Sequence, residues 1–412
     1  MKNFKNFTFI ICLFIGCLVI SCQKDETLTT KKYEYSGHLG DVVQILRDEQ
    51  YSPDQIAAQL PSTIAMFAVP KYSVKVLTVE YKSINKDEDT VKASGIIIVP
   101  LLDSFSIPMI SYQHGTVLPK SSAPSINRGE EYLFNLAIAS SGGVLACITD
   151  YLGLGTGDGQ HMYLNPREEA NSVRDIMRCA RKIVRDSGFT QLNGQVFLYG
   201  YSQGGHATMA AQRQLELENA DEFKLTASAP MAGPYALSRT SQFDLILDSV
   251  YYPNPFYLPY LSVSLFNTFH IYTSYNQLFK EPYASEIPIA IDGYHSYAYA
   301  NSKFDYYVSN MLLDSIKIAL KTNPNHPIRL ACKQYDLVDD WTPKTPTRLY
   351  HCYGDDNVFF DNAVYADSAF RSRGADVTLV DLGSSNHTDC APTAIFIAYS
   401  WFNTLFDIKK VK

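Results

Sequence analysis

The apolar and polar positions divide the chain into stretches of different character. Residues 7–20 are apolar apart from Thr8 and Gly16, and Lys2 and Lys5 precede them. A spanning helix needs ~20 apolar residues. The run is shorter than that, and its basic flank predicts a signal peptide over 1–22. Residues 23–36 are polar and predict a tether. Helical pieces are expected near 40–68. β-rich runs follow at 74–81, 91–99 and 107–112, and the polar turn 85–89 makes the first two a hairpin. Strand and helix then alternate. Helices are expected at 132–140, 166–186, 204–218 and 361–373, and strands at 143–149, 195–199, 225–229, 347–351 and 377–382. The 166–186 segment carries its own start and stop signals: Pro166, Glu168 and Glu169 early, Arg181, Lys182 and Arg185 late, then Gly188. Such alternation implies an α/β class protein with a mostly parallel central sheet covered by helices on both faces.

Between 237 and 345 the alternation breaks down. The stretch is rich in Tyr, Phe and Pro, as in Tyr-Tyr-Pro-Asn-Pro-Phe-Tyr-Leu-Pro-Tyr at 251–260. A structureless loop of that length is implausible in a compact domain. It predicts a mainly helical cap, or lid, inserted between two late strands. The core is then 37–236 together with 346–412. No internal repeat is evident.

Composition changes this picture little. At 412 residues, 46% hydrophobic and 19% charged, the chain can bury a sizeable core. A net charge of −7 gives no basis for nucleic-acid binding. The 29 tyrosines suit half-exposed binding surfaces, being apolar in body and polar at the tip. Of eight cysteines, Cys12 and Cys17 lie in the leader and Cys22 ends it. Cys147, Cys179, Cys332, Cys352 and Cys390 remain. Their odd number leaves at least one thiol free or paired between chains. Their spacing matches no zinc template, and neither a metal nor an organic cofactor is expected.

Candidate chemistry centres on Gly200-Tyr201-Ser202-Gln203-Gly204. An apolar strand enters this pattern and a helix leaves it, which is the setting of a nucleophile elbow. So tight a turn needs neighbours without side chains, and it lifts Ser202 to a helix N-terminus. There the Gln203 N–H and the helix dipole favour a developing negative charge. A serine hydroxyl needs an imidazole to take its proton and a carboxylate to hold that imidazole. His387 is the candidate base, in the polar loop after the last strand. His206, on the helix after the elbow, and His351, at a strand end, are read as packing or structural residues. Asp355 is favoured as the acid over Asp356. Asp336, Asp339 and Asp340 precede the strand and are read as surface or cap-hinge residues. The strand at 107–112 runs into Gln113-His114-Gly115-Thr116, where a second oxyanion donor is expected from His114 or Thr116; the His114 imidazole itself is read as packed beneath the loop. Asp150 and Tyr151 are read as structural.

Several of these pieces resemble known families. Val19-Ile20-Ser21-Cys22 resembles a bacterial lipobox, and Gln23-Lys24-Asp25-Glu26 resembles the export tag of surface lipoproteins in Bacteroidota. These imply lipidation of Cys22 and an anchored position at the outer membrane, facing outward. The segment His351-Cys352-Tyr353-Gly354-Asp355 with Val358 and Phe359 is similar to the His-Gly-x-x-Asp-x-x-Val-Pro pattern of α/β-hydrolases, with Cys352 for Gly and Phe359 for Pro. Taken with Tyr112–Thr116, Asp150–Gly155, His161–Leu164, Val173–Arg181, Gly200–Ala207, Trp341-Thr342-Pro343 and His387, the chain resembles the secretory lipase family and its bacterial relatives. The resemblance implies an α/β-hydrolase fold and cleavage of small-molecule or lipid carboxylic esters through a serine acyl-enzyme. Two other readings stay open: a prolyl-type serine peptidase on the same fold, and a non-catalytic surface binding lipoprotein. Oligomeric state is not indicated.

Overall fold

The computed structural model describes residues 39–411 apart from 246 and 249. The leader, the tether and Cys22 lie outside the described residues. Among those described, ten strands form one sheet. They are β1 (Val42–Tyr51), β2 (Val74–Ile84), β3 (Thr90–Pro100), β4 (Phe105–Gln113), β5 (Leu145–Thr149), β6 (Gln191–Tyr201), β7 (Leu225–Met231), β8 (Thr347–His351), β9 (Val377–Asp381) and β10 (Lys409–Lys410). The order is β1-β2-β3-β5-β4-β6-β7-β8-β9, with β10 on the start of β4. From β5 through β9 neighbouring strands run parallel. The β1-β2-β3 meander and its junction with β5 are antiparallel.

The residues decide the layers by period-2 alternation. In β3, Ile96 and Ile98 point to one face of the sheet while Ile97 and Val99 point to the other. Phe197 and Leu198 part in the same way in β6. One face packs on α4 (Pro166–Ser187), α5 (Gln203–Glu218) and α12 (Asp361–Ser372). The other packs on α3 (Glu130–Gly142) and α13 (His387–Asn403).

The expected helices near 40–68 are corrected at one point. Residues 42–51 form the edge strand β1, and only α1 (Pro53–Ala57) and α2 (Ser62–Ala65) are helical. The reason is pairing: Val42 through Tyr51 lie antiparallel along β2. The strand is exposed over nearly all its length, so no buried face impressed an alternation on its sequence.

Between β7 and β8 the described residues form six α-helices: α6 (Ser241–Asp244), α7 (Tyr257–Phe269), α8 (Tyr283–Ala290), α9 (Tyr297–Lys303), α10 (Asp314–Thr322) and α11 (Pro327–Tyr335). They share an apolar core of their own, with Phe256, Val263, Phe279, Ile287 and Met311 at its centre. Helix α4 starts where its signals place it. The Asn165 side chain accepts from the N–H of Arg167 and Glu168, and Gly188 ends the helix in the left-handed region.

Helix α4 also carries a buried ionic cluster. Asp175 is fully buried and accepts from Arg174 Nε at 2.8 Å, Arg178 Nη1 at 2.9 Å and Ser83 Oγ at 2.9 Å. Removing one member of a buried ion pair strands the others and costs about 3–5 kcal/mol. Asp175→Ala should lose stability on that scale. Chemical denaturation checks it, and a loss below about 1 kcal/mol would mean that water replaces the carboxylate at little cost.

Candidate active site

The turn after β6 is set by what cannot fit there. A Cβ on Gly200 or Gly204 would collide with the Gln113 carbonyl, and one on Gly205 with the Met231 carbonyl. The helix can therefore start only hard against the strands. Ser202 takes φ 63° and ψ −123° at this turn, a conformation that costs a non-glycine residue of order 1–3 kcal/mol. Its N–H donates to the Met231 carbonyl at 3.0 Å, and its carbonyl accepts from the N–H of Gly205 and His206.

The three residues expected to work together do meet. Ser202 Oγ is 2.8 Å from His387 Nε2, and His387 Nδ1 is 2.6 Å from Asp355 Oδ2. His387 is the first residue of α13, whose N-cap is Asn386. The ring of Tyr201 lies 5.0 Å from the imidazole, and its hydroxyl donates to the His387 carbonyl at 2.7 Å. Asp356 does not reach the ring; its Oδ1 accepts from the His387 N–H at 3.2 Å. Burial by itself would raise the Asp355 carboxyl, but hydrogen bonds from His351 and His387 outweigh it and hold the group well below the usual carboxylate range. Serine, neutral imidazole and ionised carboxylate in this order can pass a proton from oxygen to nitrogen.

His114 is fully buried. Its Nδ1 lies 2.7 Å from the Gly115 carbonyl and its Nε2 3.2 Å from the Asp150 carbonyl. The Gly115 N–H donates to Glu131 Oε1 at 3.1 Å. Thr116 Oγ1 pairs with the Tyr163 hydroxyl at 3.2 Å. Asp150 is buried and accepts from Ser94 Oγ and from the Ser125 N–H. Of the other aspartates, Asp336 is bonded to Ser238, Asp339 to Arg239 and Asp340 to Arg213.

Two contacts were not foreseen from sequence. Gln203 Nε2 donates to His161 Nε2 at 2.8 Å and to Glu169 Oε1 at 2.9 Å. Glu169 Oε2 is 2.6 Å from His206 Nδ1, and His206 Nε2 is 3.2 Å from the Tyr335 carbonyl. His161 Nδ1 faces the Leu152 carbonyl at 2.9 Å, so that ring donates there and accepts from Gln203. Burial pulls its imidazole down to about 4, which keeps it neutral for this role. The residue whose main chain starts α5 is thus held at its side chain by α4. The only sequence signal was the placing of two acids early in α4, which reads equally well as dipole complementarity. The second contact is His351, which reaches Asp355; its signal was the four-residue spacing.

Cys352 and Cys390 form a disulfide, which resolves the odd count. Cys147, Cys179 and Cys332 are buried free thiols. The bridge joins the loop of Asp355 to the helix of His387, three residues from each. Burial raises the thiols of Cys147 and Cys332 to about 12, so they are poor nucleophiles. For a sequence separation of 38, loss of the bridge should cost about 2–4 kcal/mol. The double variant Cys352→Ala/Cys390→Ala should show that loss in denaturant titration and a lower kcat at 25 °C. An unchanged kcat would show that packing alone aligns acid and base.

A cleft of about 80 Å³ opens at Ser202, lined by Tyr163, Leu164, Leu245, Tyr252, Tyr257 and Val308 among others. Beyond it a second apolar cavity of about 50 Å³ lies within the helical insertion, and Leu237, Gln242, Leu258 and Leu261 line both.

Comparison with known proteins places this geometry. A family model for secretory lipases matches residues 121–412. The structure of the rice cell wall degrading esterase LipA of Xanthomonas oryzae superposes with a TM-score of 0.75 at 29% identity, covering 88% of this chain and 96% of LipA. A Legionella pneumophila protein gives a TM-score of 0.78 at 22% identity, covering 87% and 97%. Candida antarctica lipase A in its closed state gives 0.65 at 16%, covering 87% and 82%. The last two bear on the fold alone. No curated protein sequence matches the chain. The molecule is a serine carboxylic ester hydrolase on the α/β-hydrolase fold, and it belongs to the secretory lipase family.

Proposed function

We propose that Ser202 is the nucleophile, His387 the general base and acid, and Asp355 the group that orients and balances the imidazole. The observation that carries this reading is the continuous hydrogen-bonded path Ser202 Oγ–His387 Nε2 at 2.8 Å and His387 Nδ1–Asp355 Oδ2 at 2.6 Å. Oγ attacks the ester carbonyl carbon as its proton passes to Nε2. The carbonyl oxygen becomes an oxyanion and rests on the Gln203 N–H at the start of α5, where helical N–H groups have no intrahelical acceptor. A second donor comes from the 114–116 loop, with His114 and Thr116 the candidates, since the Gly115 N–H is bonded to Glu131. His387 then gives its proton to the departing alcohol. Water, activated by the same pair, hydrolyses the acyl-serine and restores the hydroxyl.

The two adjoining apolar cavities support an ester with an apolar acyl group, its chain directed from Ser202 past Leu258 and Leu261 into the insertion. Small-molecule and lipid esters both meet that description. The aromatic walls add order: Tyr163 stacks on Tyr260 with ring centroids 4.5 Å apart. The lipobox-like Val19-Ile20-Ser21-Cys22 supports an exported enzyme anchored through lipid on Cys22, at the outer membrane and facing outward. Among the described residues no helix is long and apolar enough to cross a membrane.

Three outcomes are expected. Ser202→Ala should abolish turnover of a p-nitrophenyl ester and covalent labelling by a fluorophosphonate; labelling that persists would refute the nucleophile. In a p-nitrophenyl series, kcat/KM should rise from acetyl toward octanoyl, and a profile that peaks at acetyl would overturn the acyl path. Cys22→Ala should move the protein from the membrane fraction to the soluble fraction, and unchanged fractionation would rule out that anchor.

A further inference from the structure

His351 ends β8 and its ring is fully buried. Nε2 lies 3.1 Å from Asp355 Oδ2 and 2.9 Å from the Val358 carbonyl. Both are acceptors, so Nε2 carries the hydrogen. Nδ1 is buried and has no hydrogen-bond partner among the described residues. A second proton there would be a stranded buried donor, which is costly. The ring is therefore the neutral Nε2–H tautomer, held edge-on by Phe360 at 5.4 Å.

Asp355 consequently receives four hydrogen bonds. Oδ1 accepts from the N–H of Asn357 at 2.9 Å and of Val358 at 2.8 Å. Oδ2 accepts from His387 and from His351. The two main-chain donors hold Oδ1, and His387 holds Oδ2 from one side. The fourth falls on the same oxygen that faces the base, where it competes for the same negative charge.

Building on the triad reading, we infer that His351 is a positioning residue: its Nε2–H fixes the plane of the Asp355 carboxylate and draws off part of the charge that Oδ2 presents to His387. The lowered Asp355 carboxyl, with His351 the strongest of the lowering influences, accords with this. The weaker the charge at Oδ2, the less it favours a positive charge on the ring beside it.

The other groups around the pair do not compete with this control. Tyr201 packs on His387, while Tyr252 and Tyr257 approach Asp355 from the insertion. Burial pushes all three phenols up, so they stay neutral. Asp356 is bonded to the His387 N–H and to Asn357 Nδ2.

The test compares two variants of the full chain. His351→Leu fills the space without a donor, and His351→Gln keeps an N–H aimed at Asp355. For His351→Leu, kcat on a soluble p-nitrophenyl ester should fall about 10- to 100-fold with KM within about twofold. The acid limb of its kcat/KM profile should move to higher pH. His351→Gln should recover most of kcat and return the limb toward its original position. A drop in kcat with an unmoved limb, or a Gln variant no better than Leu, would reduce His351 to a packing residue and overturn the inference. Unchanged kcat in both would overturn it as well. Should the Leu chain not fold, His351→Asn replaces it under the same criteria, because its shorter amide ends near the Nδ1 position and does not reach Asp355. Fluorophosphonate labelling of the unmodified protein separates the two levels. Absence of label on Ser202 defeats the triad reading, whereas labelling with unaltered variants defeats only the role of His351.

Discussion

The structure turns on one close approach, the backbone of Gly204 set against the Gln113 carbonyl. It forces Ser202 into a positive φ and aims its side chain away from the sheet. The strain is held by hydrogen bonds on both sides, from the Ser202 N–H to Met231 and from Gly205 and His206 back to Ser202. It is held also by burial of α5 between α4 and the sheet. The same approach brings the start of a helix, with the Gln203 N–H at its tip, beside the loop that follows β4. In the proposed mechanism, nucleophile and oxyanion donors are thus fixed by one packing event, and a relaxed turn would lose both together.

The proposed acid and base, Asp355 and His387, come from another part of the chain, and they are tied to each other before they are tied to the serine. The Cys352–Cys390 bridge, the His387 N–H bonded to Asp356 and the Tyr201 hydroxyl on the His387 carbonyl hold the two loops together. The base therefore sits at the N-terminus of a helix, on a segment with little freedom. Such rigidity matters because the proton path works only over a few tenths of an ångström. Beneath the elbow a second polar network, His161–Gln203–Glu169–His206, ends on the carbonyl of Tyr335 in α11. It joins α4 and α5 to the helical insertion. Fully buried networks of this kind specify a single arrangement, since a partner lost leaves a costly unpaired group.

The insertion lines the cleft at Ser202 with apolar and aromatic side chains. Its tyrosines set hydroxyls against main-chain acceptors, as Tyr252, which lines the cleft, does on Asn357 and Tyr260 does on Val117. Tyr163 pairs with Thr116 and stacks on Tyr260, so the loop 114–116 and the insertion share a wall. A change in how the helices pack would be felt at the loop 114–116.

The chain's order of residues alone determined the alternating strands and helices from β2 onward, the bounds of α4, the helical character of 237–345, and Ser202 and His387 as partners. These are local signals: periodicity, caps, glycines that only a tight turn demands, and chain order in a recurring scaffold. The edge strand β1 was decided by tertiary pairing, because an exposed strand leaves no alternation to read. The disulfide partners, the His351 contact on Asp355 and the Glu169–His206 pair were likewise decided by the fold. Each joins residues whose chemistry is common and whose meeting depends on which face of which element they occupy. A histidine ending a strand and a glutamate in the first turn of a helix have ordinary local explanations, and only burial against a particular neighbour gives them a different one.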